Sequence, residues 1–282
     1  MCLPGTIENV REQTRSEEGP RLDRRSVLLG GVGAAVAAAF PARAVAGRPK
    51  PHRPGRQRLQ DLTHVFTEGF PVFTFAPPAS EVLITIPTGG FYSQQWTFGE
   101  HSGTHMDAPG HFVEGGRLSP DITLEELLVP IVVIDISARG ARDPNSVVTV
   151  DDLRRFEHRH GRIPHGALVC MNSGWATKIG DPVEYKGGAS FPDYDFPGYS
   201  LDAAMWLVQH RDVTGIGVDT LSLDPGNSQT FPVHVNFLAT DRYGLENLAN
   251  LDKIPPRSAI AYVGLIPWER GSGGPCRVIA SW

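Results

Sequence analysis

The sequence predicts a single α/β domain. Three observations carry that reading. Short apolar runs rich in β-branched residues recur along the chain, and a few segments begin with helix-capping signals. One of those helices leads directly into a buried strand, the order expected of mixed α/β chains. No repeat, heptad or low-complexity domain follows residue 60, so one domain accounts for the rest of the 282 residues better than two.

Taken in chain order, VLITI (82–86) has the β-branched content of a strand. Thr123 and Glu126 form a capping box ahead of a short LEELL helical turn. PIVVIDI (130–136) is a nearly continuous apolar run, which predicts a strand buried on both faces. Thr149 caps a helix over VDDLRRFEHRH, and Gly161 ends it. ALVCM (167–171) reads as another doubly buried strand. Ser200 caps LDAAMWLVQH, which runs into the strand GIGVD (215–219), and AIAYVGL (259–265) reads in the same way as the other buried strands.

The N-terminal part reads differently. Arg24-Arg25 precede SVLLGGVGAAVAAAF (26–40), and PARAVAG then offers small-residue cleavage sites after Ala44 or Ala46. Paired arginines point to the twin-arginine route, and 15 residues dominated by Ala and Gly are too short and too weakly apolar to span a bilayer. The expected organisation is a cleaved export signal over 1–46, a basic, proline-rich lead-in over 47–60 and the folded domain over 61–282. This places the mature chain in the periplasm or outside the cell, with no stable membrane span after processing. Cys2 leaves with the signal, so Cys170 and Cys276 remain as one possible disulfide in an oxidising compartment. Lys and Arg total 26 against 31 Asp and Glu, a balance that gives no footing for a nucleic-acid partner.

Chemistry concentrates in HSGTHMDAPGH (101–111). His101, His105 and Asp107 offer two imidazoles and a carboxylate, a set that suits Zn²⁺, Mn²⁺ or Fe²⁺. Gly103, Pro109 and Gly110 argue against a helix. On a strand, His105 and Asp107 point to one side, and Gly103 lets the backbone turn His101 back toward them. His111 falls past Pro109-Gly110 and is placed to line the same cavity as a proton carrier.

Competing sites are few. Asp219-Thr220 ends a buried strand, with Ser222 and Asp224 close behind, but no G-x-S-x-G elbow, phosphate-binding loop or dinucleotide fingerprint is present. His158, His160 and His165 read as surface residues. His234 and Glu246 lie twelve apart and, on spacing alone, are weak candidates for ligands; Glu246 sits among apolar residues, where a buried carboxylate needs a partner.

HSGTHMDAPGHF resembles the H-x-G-T-H-x-D-x-P-x-H-F signature of the cyclase-like metal-dependent hydrolases, the family of bacterial kynurenine formamidase and isatin hydrolase. The likeness extends from Asp61 to the C-terminus through DLTH (61–64), PGYS (197–200), GVDTLSLDP (217–225), PVH (232–234) and LENLANL (245–251). The resemblance implies a swivelling β/β/α domain. It also implies homodimers or homotetramers in which neighbouring chains line the active site. By the same resemblance, His101, His105 and Asp107 hold a first ion, Asp107 bridges to a second, and His234 and Glu246 complete the ligands. His111 then matches the general acid/base, and the cofactor is one or two ions of Zn²⁺ or Mn²⁺.

The activity this implies is hydrolysis of an amide or cyclic amide, most concretely an arylformamide of the N-formylkynurenine type. Ring opening of an isatin or a lactone is the alternative on the same fold, and an exported metal-binding or structural protein without turnover is the alternative of another class. Phe66, Phe70, Phe73, Phe91, Tyr92 and Trp96 surround the motif in sequence, as an apolar wall for an aryl substrate or as core and subunit-interface residues.

Overall fold

A computed structural model of the chain describes residues 57–73 and 76–282. The expected export signal over 1–46, and the lead-in as far as residue 56, lie outside the described residues. Strand β1 (Leu59–Asp61) starts two residues ahead of Asp61, where composition places the start of the fold.

Residues 81–95 belong to a small unit of their own. Strand β2 (Ala79–Ile84) pairs with strand β3 (Ser93–Thr97), and the helical turn α1 (Ile86–Gly89) connects them. VLITI is therefore only partly strand. Thr85 is extended and caps α1, whose first turn contains Pro87, so the strand ends at Ile84.

The main unit, Gln57–Ser80 with Trp96–Trp282, is built on an eight-stranded sheet. Its further strands are β4 (His105–Asp107), β5 (Leu128–Asp135), β7 (Leu168–Asn172), β9 (Gly215–Val218), β10 (Tyr243–Glu246), β11 (Ala259–Leu265) and β12 (Gly273–Ser281). The short strands β6 (Val147–Val148) and β8 (Gly198–Tyr199) pair separately. The order is β1-β12-β11-β5-β7-β9-β10-β4, and β12 also pairs with β4. Its first residues, Gly273 to Pro275, meet β4, and Cys276 to Ser281 meet β11. The sheet thereby closes into a barrel, which leaves no open edge between β4 and β12.

Helices α2 (Ser137–Gly140), α3 (Val150–His160), α4 (Pro182–Lys186), α5 (Leu201–Arg211) and α6 (Pro232–Leu238) lie in the connections. The two capped helices form as the sequence predicts. Thr149 accepts from the Asp152 amide and Gly161 ends α3 with φ 85°, while Ser200 accepts from the Ala203 amide at the start of α5. Thr123 and Glu126 do bond, at 2.9 Å, yet no helix follows. Leu128 already enters β5, so the box closes a turn instead.

Two larger cores lie on the two faces of β5 and β7, and a third, smaller cluster gathers Trp175, Tyr185, Tyr194, Phe196 and Leu221. Val132 and Ile134 of β5, with Val169 and Met171 of β7, pack with Leu153, Phe156, Leu207 and Phe237 of the helices. The alternate residues Ile131, Val133, Leu168 and Cys170 join Met106, Leu245, Val263 and Val278 in the second core. Each such side chain contributes about 1.5–3 kcal/mol by leaving water. Burial on both faces thus holds for β5 and β7. It fails for β11, where Ala259, Ala261 and Val263 are buried but Ile260 and Tyr262 are exposed. That strand pairs antiparallel with both neighbours and has one solvent face, so its pattern alternates.

Cys170 and Cys276 are both buried and free, so the possible disulfide does not form. Burial in the barrel pushes both thiols up, Cys276 to about 12. Among the described residues, no helix is long and apolar enough to cross a membrane.

Candidate active site

The register of β4 decides the site. His105 lies opposite Glu246, the last residue of β10, and Asp107 lies opposite Gly244. His105 and Asp107 are two apart on one strand and point to the same side, as the sequence predicts. A slip of one residue would turn all of them away. Gly103 takes φ 71°, and the chain turns back so that His101 Nδ1 reaches Asp107 Oδ1 at 2.6 Å. The 3-10 turn Pro109–His111 then stacks the His111 ring on His101, centroids 3.7 Å apart.

His234, three residues after Phe231 and in the first turn of α6, completes the cluster. Its Nε2 stands 3.1 Å from Glu246 Oε1 and 3.4 Å from Asp107 Oδ2. His105 Nε2 stands 3.3 Å from Glu246 Oε2 and 3.4 Å from Asp107 Oδ1. All six residues singled out in the sequence, His101, His105, Asp107, His111, His234 and Glu246, line one cavity of about 260 Å³.

Outer partners orient these groups. His105 Nδ1 donates to the Gly103 carbonyl at 2.9 Å, which leaves Nε2 facing the carboxylates. That carbonyl also accepts from Asn247 Nδ2, and Tyr185 donates to Asn247 Oδ1. The Ser272 hydroxyl donates to Glu100, so it accepts from His101 Nε2 at 2.8 Å and leaves Nδ1 toward Asp107. Asp219, pushed up to about 6 by burial, is held by the Ser173 and Trp175 amides and does not enter the cavity. His158, His160 and His165 are exposed, as expected.

The donor set fits a divalent cation. Asp107 and Glu246 are 1% and 5% exposed, and Asp107 Oδ2 has no hydrogen-bond partner. Burial would raise the Asp107 carboxyl, but His101, His105 and His234 outweigh it and hold it well below the usual range. Burial likewise opposes charge on His105, yet Asp107 and Glu246 push it up to about 10. His234 is raised in the same manner. So much demand for positive charge in a dry cluster of nitrogen and oxygen donors is what a metal ion meets. The donors group as His101, Asp107 and His111, and as His105, Asp107 and Glu246, with Asp107 common to both. His101 and His105 both face Asp107 Oδ1, His105 also faces Glu246, and His111 stacks on His101.

The model of the putative cyclase family matches residues 60–225, over half of the chain. The chain belongs to the cyclase family. Isatin hydrolase of Roseibium aggregatum is 35% identical over 202 residues, 68% of this chain and 76% of the relative. Kynurenine formamidase of Bordetella petrii is 28% identical, over 63% of this chain and 82% of the relative. Isatin hydrolase A from Ralstonia solanacearum superposes with a TM-score of 0.75 at 34% identity, covering 80% of this chain and 92% of that one.

Within this cyclase-family site, the aromatic wall departs from expectation. Of the six aromatics near the motif, only Phe73 lines the cavity. Phe66 packs instead on Phe70, Trp96 and Phe98, and Phe91 and Tyr92 belong to the 81–95 unit. The wall comes from Phe73, Phe112, Phe191, Phe231 and Leu221. Phe231 sits at its centre, with ring centroids 5.5 Å from Phe73, 6.0 Å from Phe112 and 6.1 Å from Phe191. Phe112 adjoins His111 and Phe231 precedes PVH, so adjacency to the motifs was the available signal for both. Phe191 carries no such signal.

Proposed function

We propose that the chain is a metal-dependent hydrolase that opens a compact aromatic cyclic amide of the isatin type. The observation that carries the reading is the cavity itself: a buried His/Asp/Glu cluster on one side and four phenylalanines on the other. His101, His105, Asp107, His234 and Glu246 would hold one or two ions, Zn²⁺ or Mn²⁺. When bound, such an ion polarises a carbonyl and acidifies water at neutral pH.

The chain's own groups supply the rest. The phenylalanine wall holds an aryl ring and excludes bulk water from it. Ser222 lines the cavity, and its buried Oγ lacks a hydrogen-bond partner, so a small rotation of the side chain would let it hydrogen-bond the substrate. His111, whose imidazole is kept neutral by burial in spite of Asp107, takes a proton from the attacking water at a ring nitrogen. The water oxygen bonds to the carbonyl carbon, the carbon–nitrogen bond breaks, and His111 returns the proton to the departing nitrogen. In a cyclic amide the two ends stay in one product, an arylamine bearing a carboxylate group.

Arylformamide hydrolysis is the second reading, favoured by the same proton chemistry and by the kynurenine formamidase relative. It ranks second because no Lys or Arg lines the cavity, among the described residues, to pair the carboxylate of an amino-acid side arm. We also propose export of the chain and assembly into a homodimer or homotetramer; intact mass after secretion and light scattering check these.

Metal-reconstituted protein assayed against isatin, N-formylkynurenine, formanilide and a simple aryl ester tests the reading. The expected order is isatin first, with activity removed by a chelator and restored by Zn²⁺ or Mn²⁺. No turnover of any of them with either ion would sink it.

A further inference from the structure

Four histidines line the cavity, and three of them, His101, His105 and His234, have the outward nitrogen held by an acceptor. For His105 the acceptor is the Gly103 carbonyl, and for His101 it is the Ser272 hydroxyl. Both are neutral. Of the three, only His234 bonds a carboxylate directly through its outward nitrogen: its Nδ1 lies 2.6 Å from Asp224 Oδ2, whereas Glu100 stands 3.7 Å from His101 Nε2, behind the Ser272 hydroxyl. Asp224 is fully buried, and its remaining capacity goes to the same segment. Oδ1 accepts from the Val233 amide at 2.8 Å and Oδ2 from the His234 amide at 3.0 Å. One carboxylate therefore fixes both the backbone that carries His234 and the orientation of its ring. Asp224 does not line the cavity, so it acts only through His234.

We propose that Asp224 is a positioning residue: it holds a proton on His234 Nδ1, turns the Nε2 lone pair into the cavity, and makes His234 the strongest imidazole donor of the cluster. A carboxylate behind an imidazole fixes the tautomer and raises the ring's basicity toward a metal, whereas a carbonyl or hydroxyl fixes the tautomer with less charge. The inference rests on the reading of His234 as a metal ligand.

The test uses the full chain with ¹⁵N-labelled histidine, titrated with Zn²⁺. In the wild type the Zn²⁺-bound protein shows a far-downfield imidazole proton on His234 Nδ1, identified by its loss in His234→Gln. In Asp224→Asn that resonance moves upfield, and the Zn²⁺ dissociation constant rises about 10–100-fold. A folded Asp224→Asn protein, checked by circular dichroism, that binds Zn²⁺ as tightly as wild type overturns the inference. So does weaker binding with an unmoved resonance, which marks a merely structural role. If Asp224→Asn does not fold, the wild type still decides: a His234 proton on Nε2 in the Zn²⁺-bound protein overturns the proposal. Absence of Zn²⁺ binding in the wild type overturns this inference and the metal-dependent reading together, whereas equal binding by both proteins overturns only the role of Asp224.

Discussion

At the scale of single residues, identity and position carry separate information. His101, His105 and Asp107 are legible as candidate donors from their spacing, because a strand-like period and a positive-φ Gly103 suffice to converge them. The His111 nitrogen groups with the donor atoms of His101 and Asp107, so substitution separates a proton carrier from a ligand. His111→Ala is expected to lower kcat by about 10²–10⁴ with metal content unchanged. Metal analysis of the purified variant checks this, and loss of an ion would move His111 among the ligands. Phe231 holds φ 47°, uncommon for an aromatic residue, at the centre of the apolar wall. Phe231→Ala is expected to raise KM for an aryl substrate several-fold to about tenfold, with a smaller change in kcat, as steady-state kinetics would show.

At the scale of elements, capping chemistry marks helix ends in the sequence, whereas strand ends depend on pairing partners. Thr149 and Gly161 bracket α3 because a side-chain acceptor and a positive-φ glycine each answer a local need of the helix end. Thr149→Ala should cost about 1 kcal/mol, seen as a lower urea midpoint with an unchanged slope. The Thr123–Glu126 pair shows the limit of such signals. The same local bonds form, but β5 claims the following residues for its pairing with β11 and β7. The exposed face of β11 is a second limit, because a continuous apolar run does not reveal which of its faces a helix will cover.

At the scale of the whole molecule, closure of the barrel brings distant segments together, and charged clamps hold some of the seams. Arg117 donates to both oxygens of Glu126 and to Asp241, tying the segment after the motif to the entries of β5 and β10. The Arg117 guanidinium holds the Glu126 carboxyl down at about 2, against some opposition from burial. A folded-state pKa below the unfolded one adds stability in full above about 4.3, and that stability is lost as pH falls toward 2. The pair is partly solvated, so the contribution is about 1 kcal/mol. Glu126→Gln should lower Tm at neutral pH, and its gap to wild type should close between about pH 4 and pH 2; a gap that stays constant would refute the assignment.

The sequence by itself determined the class of fold, the capped helices, the doubly buried β5 and β7, and the candidate donors, because each depends on neighbours within a few residues or on a motif. Its order also carried the family. The tertiary structure decided the rest. The pairing of β4 with β10 and β12 sets Glu246 opposite His105, and the loop before α6 delivers His234, across separations that no local period encodes. Likewise the apolar wall is drawn from Phe73, Phe112, Phe191 and Phe231 in separate loops, and the aromatics nearest the motif pack elsewhere. Local chemistry chose the donors; closure of the barrel chose their partners and the shape of what they can bind.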